Sequence, residues 1–240
     1  MRLDFDGERD SGGSRSGTVN GVMVATVTDN KDPDALGRVK LKFPLRENEH
    51  ETDWVPIASL MSGNNMGTLF IPEVGDEVLV AFHLGYLNQP YVIGCLWNQS
   101  KKPPAKDDQN NLRKIRSRAG HELIFDDTNN AGKVTLKTVK GIQMIIDDQN
   151  EKITIGTKND QQSVTLTGSS AGTVEIKSGT NKITIDNKGD IKIESTKGVT
   201  IKSTQLNIEA TANMTIKAGA QLNLESSGIL NVKGSLVKIN

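Results

Sequence analysis

Hydrophobic and polar residues alternate along most of this chain, but the two halves do so differently. In the second half, thirteen three-residue cores recur, mostly apolar–polar–apolar, from Val134-Thr135-Leu136 to Val237-Lys238-Ile239. The last residues of successive cores lie 9 to 11 apart as far as Ile185, then 8, 8, 7, 8, 8, 8 and 7 apart. A two-residue period rich in Ile, Val, Leu and Thr predicts strands. The Gly, Ser, Asn, Asp and Lys residues between the cores are those that turn a chain. A period near eight leaves no room for a helix in each repeat, nor for antiparallel strands of useful length with a hairpin at every step. Eight residues at about 3.3 Å each reach at most about 26 Å, which suits one short strand plus one corner of a narrow prism.

One octad offers only two inward side chains, too few to offset the entropy of ordering it alone. Two architectures meet that constraint. A single chain can wind as a solenoid with three octads per coil, or three chains can each supply one octad per layer. The absence of a distinct three-octad period leans towards three equivalent chains. Thirteen strands stacked about 4.8 Å apart would form a needle about 60 Å long.

The first half predicts a small all-β domain. Alternating segments fall at residues 22–28, 37–43, 53–60, 68–71, 77–83 and 91–97. Turns are marked by Asp32-Pro33-Asp34, Pro72-Glu73-Val74-Gly75 and Asn88-Gln89-Pro90. Short strands with Gly and Pro punctuation suit a Greek-key barrel of the OB type. Trp54, Phe70, Phe82 and Trp97 are its candidate core or partner-facing aromatics.

Composition sharpens this division. Seven of the nine aromatics lie between Phe43 and Trp97, and beyond Phe125 there are 115 residues with no aromatic, Pro, Arg, His or Cys. Loss of proline fits a region in which every backbone N–H is wanted in a ladder. The domains expected are a polar arm at 1–17, an OB domain at 18–100, a neck at 101–125 and a β-helical spike at 126–240. The formal net charge is zero, which argues against nucleic-acid or anionic-membrane binding. A lone cysteine, Cys95, excludes an internal disulfide framework and fits cytoplasmic assembly.

No catalytic, metal or cofactor site emerges. His50, His83 and His121 lie in separate segments without ligand spacing. Cys95 reads as a packed residue of an apolar strand. The pairs Asp126-Asp127 and Asp147-Asp148 read as turn caps. The stretch Asn30-Lys31-Asp32-Pro33-Asp34 lacks the glycine and distal glutamate of a calcium loop. Gly63-Asn64-Asn65-Met66-Gly67 lacks the Lys-Ser/Thr of a phosphate loop. Arg113, Lys114, Arg116 and Arg118 form a basic cluster, read as a solvated or salt-bridged neck. An OB fold can bind single strands through aromatics in a basic groove, so a nucleic-acid protein is one alternative. A trimeric β-helical glycan-binding protein is the other.

Four blocks in the first half resemble a known family. They are residues 29–44 with Gly37-Arg38-Val39-Lys40, then Asp53-Trp54-Val55-Pro56, then residues 67–80 with Phe70-Ile71-Pro72, and residues 88–98 closing on Gly94-Cys95-Leu96-Trp97. In order and spacing they are similar to the OB domain of contractile-injection spike proteins, the VgrG and phage baseplate assembly protein V families. In that family an octad β-helix follows the OB domain, as it does here. The resemblance implies a non-enzymatic homotrimer with an OB collar and an intertwined triangular β-helix, needing no cofactor.

It implies further a hub or baseplate protein at the OB end, separate because only about 17 residues precede the barrel. A PAAR-type tip protein would contact Leu236, Val237, Lys238, Ile239 and Asn240, and a target membrane would be met on firing. No histidine follows His121, so an intrinsic iron-binding tip is not expected. The separate hub and short length favour a phage-tail-like particle as host.

Overall fold

The computed structural model describes residues 19, 21–44, 51–168, 170 and 172–239. The arm expected at 1–17, His50 and Asn240 lie outside the described residues. Among the described residues, fifteen strands and two single 3-10 turns make up the regular structure. Among the described residues no helix is long and apolar enough to cross a membrane.

The first unit is built on β1 (Val22–Asp29), β2 (Lys40–Lys42), β5 (Glu77–Phe82) and β6 (Pro90–Leu96). They pair antiparallel in the order β2-β1-β5-β6. Two single bridges then close the sheet on itself. Val55 joins Val39 beside β2 antiparallel, and Ile57 joins Val92 of β6 in parallel. Backbone bonds Val55 N–H to Val39 O at 2.7 Å and Val92 N–H to Pro56 O at 3.0 Å fix that seam. The circuit β1, β2, 55–57, β6, β5 and back to β1 is the five-strand closure of an OB barrel. A register shift between Leu79 and Val80 leaves Ile93 as an extra residue in β6; such a bulge adds the local bend a small barrel needs.

Alternation selects the core. Val78, Val80 and Phe82 of β5 point inward, with Ala25, Val27, Val39, Leu41, Phe43, Val55 and Val92. Of the four aromatics expected as core or partner-facing, only Phe82 is buried in it. Phe70 and Trp97 are about 70% exposed, at 69% and 70%. The segment expected as a strand at 68–71 is instead the end of a short hairpin, β3 (Ser62–Gly63) with β4 (Met66–Gly67). Gly67, at φ +144°, is obligatory there, because a Cβ would sit 2.3 Å from the Met61 carbonyl oxygen. Cys95 is exposed rather than packed; it lies towards the end of β6, where the barrel opens.

The second unit is one nine-stranded antiparallel sheet in chain order. Its strands are β7 (Leu112–Arg116), β8 (Glu122–Asp126), β9 (Lys133–Lys137), β10 (Gln143–Asp147), β11 (Lys152–Gly156), β12 (Gln162–Thr167), β13 (Thr173–Ser178), β14 (Asn181–Asp186) and β15 (Ile191–Glu194). It begins at Leu112, inside the stretch expected as neck, and the boundary expected at 126 falls on the last residue of β8. The repeat departs from a uniform octad wind in this half. Where the period is 9 to 11, five or six residues form a strand and the remainder forms a hairpin turn. Gly179 and Thr180 alone connect β13 to β14; Gly179, at φ +59°, supplies the positive φ that a two-residue hairpin demands.

The hairpins continue through the first eight-residue step, from β14 into β15, and stop after it. Residues 195–239 contain no strand. Bends recur instead at 196–197, 204, 211–212, 219–220, 227–228 and 235, one per octad, with extended chain between them. This is the strand-plus-corner trace expected for an eight-residue step.

Leu41 is fully buried. Leu41→Ala is expected to cost about 2–5 kcal/mol, read as a lowered melting temperature of the barrel with the far-UV spectrum of the folded protein retained.

Candidate functional site

Residues directly opposite one another on paired strands share a face, and neighbours along a strand alternate faces. The register therefore assigns every side chain of the large sheet. One row runs Arg113, Phe125, Val134, Ile146, Ile153, Leu166, Val174, Ile185, Ile191. A second, on the same face, runs Ile115, Leu123, Leu136, Met144, Ile155, Val164, Ile176, Ile183, Ile193. Only Arg113 of these eighteen positions is polar. The row between them on the opposite face is mostly Thr, Lys and Glu.

No second layer covers the apolar face among the described residues. Ile146, Ile155 and Ile176 remain 41%, 46% and 47% exposed in mid-sheet. Every described residue from Asn187 to Ile239 is exposed as well. An isolated sheet with one wet apolar face is not a stable end state, because such a face is buried against another layer in folded domains. This surface is the dominant functional feature of the chain.

The residues weighed for chemistry have local structural work. The Asp32 carboxylate accepts the backbone N–H groups of Asp34, Leu36 and Arg38 at 3.1 to 3.2 Å and the Arg38 guanidinium at 2.8 and 2.9 Å. Its side chain is 3% exposed, and the Arg38 hydrogen bonds hold its carboxyl well below the usual range. It organises the loop between β1 and β2. Asp126 accepts the Thr128 hydroxyl and N–H. Asp147 accepts the Asn150 N–H and amide and pairs with Lys133 at 3.1 Å. The Asn150 amide and Lys133 lower its pKa against the cost of burial. Both aspartates cap turns.

Although its surface is exposed, partial desolvation and then the Asp76 charge push the Cys95 thiol up, away from a reactive thiolate. His83 and His121 are exposed and far apart in the topology. Among the described residues no three His, Cys, Asp or Glu side chains are placed to hold a metal.

The basic cluster is paired throughout. Arg113 binds Asp127, Arg116 binds Glu122 at 2.8 Å, Lys114 donates to the Ala105 carbonyl at 2.7 Å and Arg118 reaches Glu73 at 3.1 Å. The last contact and Lys101–Asp76 at 2.6 Å tie the neck to one barrel turn. On the barrel itself, a groove of about 630 Å³ lies along residues 57–71. That stretch carries no charged residue and exposes Leu60, Met61, Met66, Leu69 and Phe70. Sequence reasoning singled out Phe70 alone of these; the missed signal was the unbroken absence of charge between Pro56 and Pro72.

The described residues thus join a closed OB-type barrel to a strand repeat with an uncovered apolar face. Residues 23–97 match the family model described as the type VI secretion system/phage-baseplate injector OB domain. The type VI secretion system spike protein VgrG2a of Pseudomonas aeruginosa is 33% identical over 124 residues, 46% of this chain and 15% of that protein. VgrG3 of Vibrio cholerae, also a spike protein, is 29% identical over 149 residues, 56% of this chain and 15% of the relative. The actin cross-linking toxin VgrG1 of the same species is 28% identical over 144 residues, 13% of its length. The chain thus spans a small fraction of the relatives it matches. Residues 23–97 carry the injector OB domain, and the chain is similar over about half its length to VgrG spike proteins.

Asp32 supports a pH-dependent contribution. A carboxylate with a depressed folded pKa stabilises fully above its unfolded value, about 3.9, and that contribution is lost as pH falls below it. Asp32→Asn is expected to lower the melting temperature at pH 7 and to flatten its decline between about pH 4 and pH 2, measured by thermal melts across that range.

Proposed function

We propose that this protein is the central spike of a contractile phage-tail-like injection apparatus, acting as a homotrimer without catalysis. The observation that carries this reading is the uncovered two-row apolar face of the nine-stranded sheet. Three copies related by a threefold axis turn three such faces inward and bury them on one another, giving a triangular shaft. The octads that follow carry the same apolar triplets into a narrower prism, where each strand finds its hydrogen-bond partners in neighbouring chains.

The work is mechanical. Strands stacked along the axis load their hydrogen bonds in parallel, and a dry Ile, Val and Leu interior resists bending. Interlocked chains unfold slowly. Thr and Lys on the outer face discourage lateral association. In this reading the barrels form a collar whose uncharged groove at 57–71 seats a hub or baseplate protein. Leu236, Val237, Lys238 and Ile239, all exposed, with Asn240 beyond them, seat a conical PAAR-type tip protein. Assembly takes place in the cytoplasm, and the spike with its tip meets the target membrane on firing.

The alternatives fare worse on this chain. A glycan-binding β-helix needs aromatic platforms, and none follows Phe125. A single-strand binder needs free cations, and the neck cations are engaged as described above.

Native mass by light scattering, before and after mild heating in detergent, is the direct test. A detergent-resistant species near three times 26.0 kDa is expected, and a reversible 26.0 kDa monomer would sink the reading. Ile155→Asp, in the middle of the second apolar row, is expected to abolish the trimer by placing three carboxylates at the axis. A trimer of unchanged heat resistance in that variant would show that this face is not the buried one.

A further inference from the structure

Charged residues at strand ends follow a rule in the paired part of the sheet. Across adjacent strands one edge row reads Asp126, Lys133, Asp147, Lys152, alternating in sign at every step. The other reads Arg116, Glu122, Lys137. The contacts Arg116–Glu122 at 2.8 Å and Lys133–Asp147 at 3.1 Å realise it. Along these two rows the end charges alternate, as cross-strand pairing energetics favour; farther along the sheet Lys177 and Lys182 stand opposite one another.

The octads carry the same signature in a different form. From Lys202 to Lys233 every charged residue occupies one position, directly after the last apolar residue of a core: Lys202, Glu209, Lys217, Glu225 and Lys233. Glu194, after Ile193, extends the series by one. The signs alternate without exception. The position before each core from residue 198 on is uncharged: Gly198, Gln205, Asn213, Gln221, Ile229, Leu236.

Hairpins cannot use this pattern. In an antiparallel meander the residue after the core switches edges at each strand, so Glu194, Glu209 and Glu225 would stack on one edge and the three lysines on the other. Corner-turning parallel strands put the five from Lys202 to Lys233 on one corner. The bends once per octad over residues 195–239 are the trace of that geometry.

Glu194 already stands opposite Lys182 in the β14–β15 hairpin, at 3.8 Å; we propose that the other five residues, Lys202 to Lys233, form an interchain charge ladder that sets the stagger of the three chains, an inference that rests on the homotrimeric reading. The geometry follows from symmetry. If each octad occupies one side of the prism and the next octad moves to the next side one level up, threefold symmetry stacks octad n+1 of one chain directly on octad n of another. Levels are about 4.8 Å apart, so Lys202 of one copy lies against Glu209 of the next, and Glu209 against Lys217 of the third. A slip of one octad between chains places like charges in contact at every level. The apolar interior, nearly uniform from octad to octad, does not distinguish these registers; the corner charges do.

Register-specific cross-linking tests it on the full chain. In a Cys95→Ser background, K202C/E209C oxidised with diamide is expected to give a covalent trimer on a non-reducing denaturing gel, since strands about 4.8 Å apart fall within disulfide reach. K202C/K217C, two levels apart, is expected to give none. A native trimer that K202C/E209C leaves uncross-linked overturns the ladder and leaves the trimer standing. A bond closing within a monomer in K202C/E225C marks a single-chain solenoid, which overturns both.

Charge variants give a readout that does not depend on a bond forming. E209K/E225K, with five lysines in line, is expected to lose heat resistance in detergent-free, low-salt buffer and regain part of it in high salt. The sign swap K202E/E209K/K217E/E225K/K233E, which leaves the Glu194–Lys182 contact intact, restores alternation and is expected to melt like the unaltered protein. Equal melting of all three in low salt would overturn the proposal.

Discussion

A sheet one layer thick must cover its apolar face, and everything else in this molecule follows from how that is arranged. Seventeen apolar side chains stand in two rows across nine strands, and no second layer lies over them among the described residues. At about 25 cal/mol per Å² of apolar surface, leaving such an area wet forgoes more free energy than the whole net stability of a typical domain. In the reading proposed above, threefold self-association supplies the cover, since it uses one kind of surface and offers it the same apolar chemistry on each side.

The barrel answers the opposite problem. It closes on itself, buries ten apolar side chains and needs no partner for its core. What it offers outward is different in kind: an uncharged groove at 57–71 and a turn, 73–76, clamped to the neck by Lys101 and Arg118. A self-sufficient module attached through two ion pairs to a module that needs companions is a reasonable way to join a rigid shaft to a separate machine, since each can be built to its own rule. Exposed ion pairs of this kind contribute little stability; their use is in orientation.

Much of this was legible in the residue pattern. Alternation located β1, β5 and β6 to within a residue or two and found the core triplets from Val134 on, but not those of β7 and β8, which lie in the stretch expected as neck. The segment expected at 53–60 holds Val55 and Ile57, which enter the barrel through single bridges and not through a full strand. Phe70 and Trp97 lie outside the barrel core, after β4 and after β6, where size alone does not bring burial. The repeat was treated as one motif although its period changes from about ten to eight. The shorter step leaves fewer residues for a turn, yet the first such step still closes the β14–β15 hairpin, and only the later ones trace one bend per octad.

The alternation of sign along the octads has a unit of two repeats, not one. A needle of this design can be lengthened or shortened smoothly in apolar terms by any single octad, but its corner would then carry two like charges at the junction. Viable lengths would therefore differ by pairs of octads, about 10 Å at a time, and a family of such shafts would show a stepped ruler of lengths instead of a continuum.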